Sequence, residues 1–266
     1  MALTGDSPVS MPLHSPLYIT DNAYEGDCDG LSILLELPQD AVESVLAPTP
    51  FEYFTNHAWI EFYTYPTLRG LSTYIDHFGD QYAVFGVVIP VSYQGSLGGY
   101  YAHCYKNKDY SAALGREMAG FPVKAAKVQV HRTGRAATAM VSCPTARYDA
   151  SVVISDDPAT DPSFAVRNPT LLLQVIPDVE APNSVLLEQV ISRDVSQSSN
   201  LHAVKAQPAI QYRDAPAEVD DLAWLSSGKP VHADFFTGVF RGALGHVLST
   251  TQVSPRLMKR ISASDL

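Results

Sequence analysis

Charged residues are scarce in this chain: they make up 17% of its 266 residues, and the net charge is −10. Lysine and arginine form no cluster, so the positive surface that attracts nucleic acid or an anionic membrane is missing. No apolar run approaches the ~20 residues that a membrane-spanning helix needs. We therefore expect neither a nucleic-acid partner nor a membrane partner.

Cysteine is rare as well. Cys28, Cys104 and Cys143 are odd in number and far apart, which excludes a disulfide framework and the ligand spacing of a zinc site. Reduced thiols that pack in the core are the expectation. The first residues also lack the basic and apolar regions of a secretory signal peptide. These features predict a cytoplasmic protein.

Glycine-rich phosphate loops and the His-Glu-x-x-His metal motif are absent from the sequence. We therefore expect no cofactor and no metal. Hydrophobic residues, in contrast, reach 46% of the chain, which is typical of a globular domain with a sizeable core. We divide the chain into a flexible N-terminal arm at 1–16, one domain at 17–248 and a C-terminal tail at 249–266.

Short β-type segments dominate that domain. Residues 82–93 and 100–105 flank a Gly-rich turn, and residues 128–131 and 136–143 flank a second turn, so each pair predicts a β-hairpin. Many short strands with few helices predict an α+β domain that is predominantly antiparallel β. We expect a barrel or cone at its centre, with short helices beside it.

Helical spacing of apolar residues occurs in three places. It predicts short helices at 40–46, before Pro48, and at 109–119. At 235–244 the phenylalanines and aliphatic residues also recur at helical spacing, although two glycines interrupt them. A helix or a pair of strands fits this third segment, and the spacing favours a helix.

Lys124 is the lysine with the clearest chemical promise. It follows Met, Phe, Pro and Val, whereas Lys106 and Lys108 lie in polar, turn-like sequence beside Asn107. A lysine amine that loses hydration is partly uncharged at neutral pH, and the uncharged amine adds to ketones to form a Schiff base. The alternative is an amphipathic lysine whose stem packs while its ammonium group reaches water.

Three motifs lie between residues 89 and 178. They are Gly-Arg-Glu followed by Phe-Pro-Val-Lys at 115–124, Ile-Pro-Val-Ser-Tyr-Gln-Gly at 89–95 with Gly-Tyr-Tyr at 99–101, and Leu-Leu-Gln-Val-Ile-Pro-Asp at 172–178. Together they resemble the acetoacetate decarboxylase family, over residues 38–190. The resemblance implies that family's barrel or cone, a small-molecule carbonyl substrate and a homo-oligomer.

The residues that the resemblance makes catalytic are mostly replaced. The family has two adjacent lysines after the proline, and the first is its Schiff-base nucleophile. Val123 takes that first position and Lys124 the second. Adjacent strand residues face opposite ways, so we expect Lys124 to face away from the pocket that Val123 lines. A carboxylate of the family falls at or near Val84, and its early arginine falls near Cys28.

Two carboxylates remain as candidates for acid–base chemistry. Glu61 faces the opposite side of its strand from Ile60 and Phe62, so it is either a buried acid or base inside the domain or a group on a solvated face. Glu117 is either an ion-pair partner of Arg116 that supports the turn or a neighbour of the site. The resemblance favours the second role.

Several further side chains are candidates for substrate binding. His103 is either a general base or a histidine satisfied within the core or an interface. Tyr82 and Tyr101 could orient a carbonyl group by hydrogen bonding. Four more residues complete the predicted substrate-binding set. Val84 and Val123 take the positions of the family's carboxylate and nucleophile, and Arg116 and Phe121 lie in the motif at 115–124.

These residues predict a small-molecule enzyme, with Lys124, Glu61 and Glu117 as catalytic groups. The substrate would be a β-keto, polyketide-like or other carbonyl compound, and the reaction that of a biosynthetic lyase, dehydratase or cyclase. Loss of the lysine pair argues against classical acetoacetate decarboxylation. The alternative function is a non-catalytic binding protein that kept the pocket and lost the nucleophile.

Overall fold

The computed structural model describes residues 23–66, 82–144, 146–159, 168–196, 199–214, 222–243 and 245–253. The predicted arm at 1–16 lies outside these residues. Residues 249–253, which the sequence assigns to the tail, are the end of the last described strand. No helix in the described ranges is long and apolar enough to cross a membrane.

The chain forms fourteen strands, two α-helices and one 3₁₀ helix within the described ranges. In chain order they are β1 (Ala23–Glu36), α1 (Gln39–Leu46), β2 (Glu52–Tyr53), β3 (His57–Tyr65), β4 (Tyr82–Tyr93), β5 (Ser96–Lys106), α2 (Asp109–Glu117), β6 (Val123–Ala125), β7 (Lys127–Thr133), β8 (Ala136–Ser142), β9 (Ala146–Pro158), β10 (Thr170–Asp178), β11 (Ala181–Arg193), β12 (Ser199–Asp214), the 3₁₀ helix (Ala223–Ser227), β13 (Lys229–Ala243) and β14 (His246–Val253).

The strands belong to one sheet with the order β14-β11-β10-β5-β4-β3-β1-β13-β12-β9-β8-β7, while β2 pairs with β4 and β6 pairs with β5. Among the described strands, only the β5–β10 and β5–β6 pairings are parallel. The sheet curls, because β7 packs back against β3, β4 and β5. This architecture confirms the predicted α+β class with predominantly antiparallel strands.

Local sequence explains the elements that were predicted correctly. The β4–β5 hairpin turns at Gln94 and Gly95, whose φ values are 51° and 78°. Both residues of a tight hairpin turn need positive φ to match the strand twist, and glycine adopts that conformation without cost. The β7–β8 hairpin and the two helices, α1 and α2, also lie where the sequence predicted them.

The predicted helix at 235–244 is wrong, because this segment lies in strand β13 and residue 244 is outside the described ranges. Phe235 packs in one core cluster, whereas Phe236 and Phe240 pack in another on the opposite face of the sheet. A strand that is buried on both faces loses the alternation of apolar and polar residues. The remaining phenylalanine spacing then imitates a helix.

Both faces of the sheet are therefore covered by core. The larger cluster contains Ile33, Phe62 and Phe85. The smaller cluster contains Tyr63 and Val84. Tyr63 comes directly after Phe62, and Val84 directly before Phe85, so both face the opposite side of the sheet. The candidate site lies in this smaller cluster.

Candidate functional site

A cavity of about 60 Å³ opens in the smaller cluster. One water needs roughly 10–15 Å³ by this measure, so the cavity has room for about four to six non-hydrogen atoms. Most of its lining side chains are aromatic or aliphatic, and two are cationic: Tyr63, Tyr65, Tyr82, Val84, Tyr101, Cys104, Lys106, Phe121, Thr170, Arg193, Val195 and Phe240. This lining suits a compact ligand with polar or anionic groups.

Strand register places the floor of the cavity in two neighbouring rows. The first row runs from Glu61 on β3 through Gly86 on β4 and Cys104 on β5 to Val123 on β6. The second runs from Tyr63 through Val84 to Lys106. Adjacent strands are about 4.8 Å apart, so these side chains converge from four strands on one patch of the sheet.

Glu61 is fully buried beside this cavity, with no exposed surface. Its Oε2 accepts a hydrogen bond from the hydroxyl of Tyr63 and another, of 3.1 Å, from the hydroxyl of Tyr101. Both tyrosines line the cavity. The two tyrosines therefore connect a buried acid to the lining of the cavity.

A β-bulge directs Tyr101 to the cavity. Register shifts between β4 and β5, so that Val87 pairs with His103 but Val88 pairs with Tyr101. The extra residue turns Tyr101 onto the same face as Gly86, and bulges next to active sites commonly re-aim a side chain in this way. A Cβ atom at Gly86 would lie 2.7 Å from Cε1 of Tyr101, so this position needs glycine for the ring to fit.

Lys106 brings an amine into the cavity. Its side chain is 8% exposed, and its Nζ donates a hydrogen bond of 3.2 Å to the carbonyl oxygen of Ser111 on α2. The same Nζ lies 5.4 Å from the centre of the Phe121 ring. The hydroxyl of Ser111 in turn donates to that of Tyr82, at 2.7 Å. The amine is thus held between the helix and the aromatic wall.

Arg193 is the second buried cation. Only 5% of it is exposed, and its guanidinium carbon lies 5.4 Å from the Phe121 ring centre and 5.7 Å from that of Phe240. Arg193 ends β11, opposite Thr170 at the start of β10. A guanidinium presents planar N–H donors that match the two oxygens of a carboxylate.

Three charged side chains act on the thiol of Cys104. Burial raises the pKa of its thiol to about 11, the positive charges of Lys106 and Arg193 oppose that rise, and the negative charge of Glu61 adds to it. A thiol with this pKa is protonated at neutral pH and is a poor nucleophile. Cys104 therefore fills space in the floor, as expected for a buried cysteine.

Four of the predicted substrate-binding residues line the cavity together: Tyr82, Val84, Tyr101 and Phe121. Val123 lies in the same cluster and is 1% exposed. Glu61 joins them through its hydrogen bond with Tyr101. The structure therefore brings most of the predicted binding set and one predicted catalytic residue into a single site.

Lys124 is not among the residues that line this cavity. On β6 it pairs with Tyr105, whereas its neighbour Val123 pairs with Cys104. Tyr105 packs in the larger cluster on the opposite face. The half-buried side chain of Lys124 thus belongs to the other side of the sheet, and its catalytic role stays a prediction.

Three other predicted residues also lie outside the lining. Glu117 is exposed at the end of α2, and exposed Arg116 donates a 3.1 Å hydrogen bond to the backbone carbonyl of Val123. The indole of Trp224 and Nε2 of His103 form a 3.3 Å hydrogen bond. Arg116 thereby braces the strand that carries Val123, whereas the His103–Trp224 pair belongs to the other face, where Trp224 packs against the larger cluster. Direct roles for the three residues stay predictions.

Sequence reasoning missed Lys106 and Arg193. Lys106 had a usable signal, because it lies two residues after Cys104 and so shares its strand face. The polar residues that follow it, beginning with Asn107, hid this signal. Arg193 had none, since its two aromatic neighbours come from distant parts of the chain.

Comparison with known proteins gives a consistent result. The family model for acetoacetate decarboxylase matches residues 10–250. Acetoacetate decarboxylase 3 of Mesorhizobium japonicum is 30% identical over 176 residues, 64% of each chain. An acetoacetate decarboxylase of Burkholderia mallei is 34% identical over 124 residues, 46% of this chain and 47% of that protein. The chain thus spans less than two thirds of the length of these relatives.

Solved structures share the fold over nearly the whole chain. The acetoacetate decarboxylase of Legionella pneumophila has a TM-score of 0.76 at 22% identity, covering 94% of this chain and 99% of that one. The enduracididine biosynthesis enzyme MppR, in complex with pyruvate, has a TM-score of 0.72 at 15% identity, covering 92% and 99%. At these identities the likeness concerns the fold.

Proposed function

Because the chain belongs to the acetoacetate decarboxylase family, we propose that it is an enzyme that acts on a small carbonyl compound bound in the tyrosine-lined cavity. One observation carries the proposal. A fully buried carboxylate, Glu61, is bonded to two tyrosine hydroxyls at the wall of a cavity that also holds two buried cations. Convergent polar groups in an apolar pocket are the usual mark of a ligand-binding or active site.

The substrate class follows from the charges and the size of the cavity. Arg193 offers planar donors to a carboxylate, and the volume admits about four to six non-hydrogen atoms. A short keto acid satisfies both conditions better than a long polyketide-like chain does. Pyruvate, which MppR holds within the same fold, has this size and is a suitable first compound to test.

The chemistry would be proton transfer next to the carbonyl group. Tyr101 lines the cavity and donates a hydrogen bond to Glu61, so a proton can pass between the carboxylate and the substrate through the tyrosine hydroxyl. Positioned acid–base groups of this kind contribute roughly 10²–10⁴-fold to a rate. Lyase, dehydratase and cyclase reactions of keto acids all need such a transfer at the carbon beside the carbonyl.

Turnover of a defined panel tests the proposal. Wild type, Glu61→Gln and Glu52→Gln are incubated with pyruvate, acetoacetate and acetylacetone, each alone and with an aldehyde, and products are followed by NMR. Glu52 is exposed on β2 and serves as the matched control. We expect turnover of at least one compound, a loss of about 10²–10⁴-fold in Glu61→Gln, and wild-type rates in Glu52→Gln. An active enzyme whose Glu61→Gln variant keeps the full rate contradicts the proposed role of the carboxylate.

A non-catalytic binding protein is the second candidate. It is favoured by Val123, which stands where the family resemblance puts the nucleophile. This candidate predicts that a panel compound raises the melting temperature while no product forms. Assembly as a homo-oligomer and a cytoplasmic location, both expected from the sequence, remain predictions of their own.

A further inference from the structure

We propose that Lys106, and not Lys124, is the amine that forms a Schiff base with the carbonyl substrate. This inference rests on the proposed function and names a reactive group that lies on a different strand from Lys124. It is carried by the position of the Lys106 amine in the cavity, by its surroundings and by the direction of Lys124.

The amine of Lys106 lies close to Val123 in the floor of the site. A Cβ atom built on Gly115 would lie 2.8 Å from Nζ of Lys106 and also 2.8 Å from Cγ2 of Val123. The amine and the valine methyl group therefore lie at most twice that distance apart. An amine carried by β5 can thus serve the same part of the cavity as a side chain carried by β6.

The surroundings of this amine suit a nucleophile. Lys106 is 8% exposed, its Nζ lies 5.4 Å from the centre of the Phe121 ring, and its neighbour on the strand face, Cys104, is a protonated thiol at neutral pH. A compact ammonium group loses its proton more readily when it is desolvated, which is why buried lysines serve as Schiff-base nucleophiles.

The two cations then have separate tasks. Arginine stays protonated in proteins and does not act as a nucleophile, so Arg193 would hold the substrate carboxylate. Lysine exchanges its proton, so Lys106 can attack the carbonyl carbon. The register of β6 directs Lys124 to the face that Tyr105 shares, which favours Lys106 for this task.

The step balances without an oxidant or a cofactor. The uncharged amine of Lys106 forms a C–N bond to the carbonyl carbon, and the π electrons of the C=O bond move to oxygen. The amine loses a proton and the oxygen gains protons, with Tyr101 and Glu61 as the groups that can move them. The C–O bond then breaks, and one water leaves. The uncharged amine, the ketone and one proton have become a protonated imine and water.

Reductive trapping tests this assignment. The wild-type protein is incubated with pyruvate, acetoacetate or acetylacetone and reduced with borohydride, and peptides are mapped by mass spectrometry. Hydride adds to the imine carbon, so the modified lysine gains the mass of the ketone less one oxygen atom. We expect the adduct on Lys106, its loss in Lys106→Arg, and its retention in Lys124→Ala and in Lys127→Ala, which changes an exposed lysine on β7.

The mapping uses unmodified protein, so it does not depend on the folding of any variant. An adduct on Lys124 or another lysine overturns the assignment, and so does the absence of an adduct with every compound. If the protein turns over a panel compound while no lysine is trapped, the assignment fails and the proposed enzyme function stands. If no compound is bound, trapped or turned over, both fail.

Discussion

The substitution Gly115→Ala should displace the Lys106 amine while it changes the stability of the fold little. The new methyl group would lie 2.8 Å from Nζ of Lys106 and 2.8 Å from Cγ2 of Val123, whereas ordinary contacts are about 3.4–4 Å. The amine is the end of a flexible side chain, so it can yield by about 1 Å. A displacement of this size at a reacting atom costs about 10²-fold in rate.

The expected change in stability is small by comparison. Replacing glycine with alanine inside a helix is favourable by about 1 kcal/mol, and this gain offsets part of the crowding at Lys106 and Val123. A net change within about 1 kcal/mol shifts the melting temperature of a domain of this size by only about 2–4 °C. Gly115→Ala should therefore stay folded while the rate of reductive trapping falls by about 10²-fold.

Gly134→Ala is the matched control. Gly134 turns the β7–β8 hairpin at a φ of 58°, and no atom lies within 4 Å of a Cβ built there. Alanine in this left-handed conformation costs roughly 1–2 kcal/mol, so this variant should lose stability and keep its trapping rate. Calorimetry and timed borohydride quenching measure both quantities. A Gly115→Ala variant that is trapped as fast as wild type would refute the placement of the reactive amine.

Two further predictions concern the floor of the site. The pKa of Cys104 is about 11 in the folded protein against a reference value of 9.0, so the unfolded state loses its proton first and stability falls as pH rises from 9 to 11. At about 1.4 kcal/mol per unit, urea unfolding should show a fall roughly 3 kcal/mol larger in wild type than in Cys104→Ala, and equal falls contradict the burial of the thiol. Tyr101→Phe removes a hydrogen bond to the buried carboxylate of Glu61 and should cost about 2 kcal/mol, against about 1 kcal/mol for Tyr93→Phe, whose hydroxyl bonds to a neutral serine. A smaller loss for Tyr101→Phe than for Tyr93→Phe would show that Glu61 does not accept a charge-assisted bond.

Elements with local causes could be predicted from the sequence. The two hairpins depend on turn residues that lie next to their strands, and both formed as expected. Strand β13 was mistaken for a helix because its two faces are buried by different clusters, which no local pattern reveals. The polar or apolar character of a strand face depends on what the rest of the chain packs against it.

The site residues likewise divide into those that local sequence could predict and those that only the folded chain reveals. Val84 and Phe121 were predicted because they lie at positions of the family-like motifs, and Tyr82 because its hydroxyl could orient a carbonyl group; all three line the cavity. Lys106 was set aside for its polar neighbours in sequence, although α2 folds over it and removes it from water. The burial of Arg193 needs Phe121 and Phe240, so it could be found only in the folded chain.

Exchange of the carbonyl oxygen with solvent tests the central claim most directly. Pyruvate is incubated with the protein in water labelled with oxygen-18, and the label in its keto group is followed by mass spectrometry against the protein-free rate. Each cycle of imine formation and hydrolysis at Lys106 replaces that oxygen with one from water. We predict exchange well above the protein-free rate for wild type and for Lys124→Ala, and the protein-free rate for Lys106→Arg. Wild-type exchange in Lys106→Arg, or no exchange above the protein-free rate in wild type, would contradict the claim.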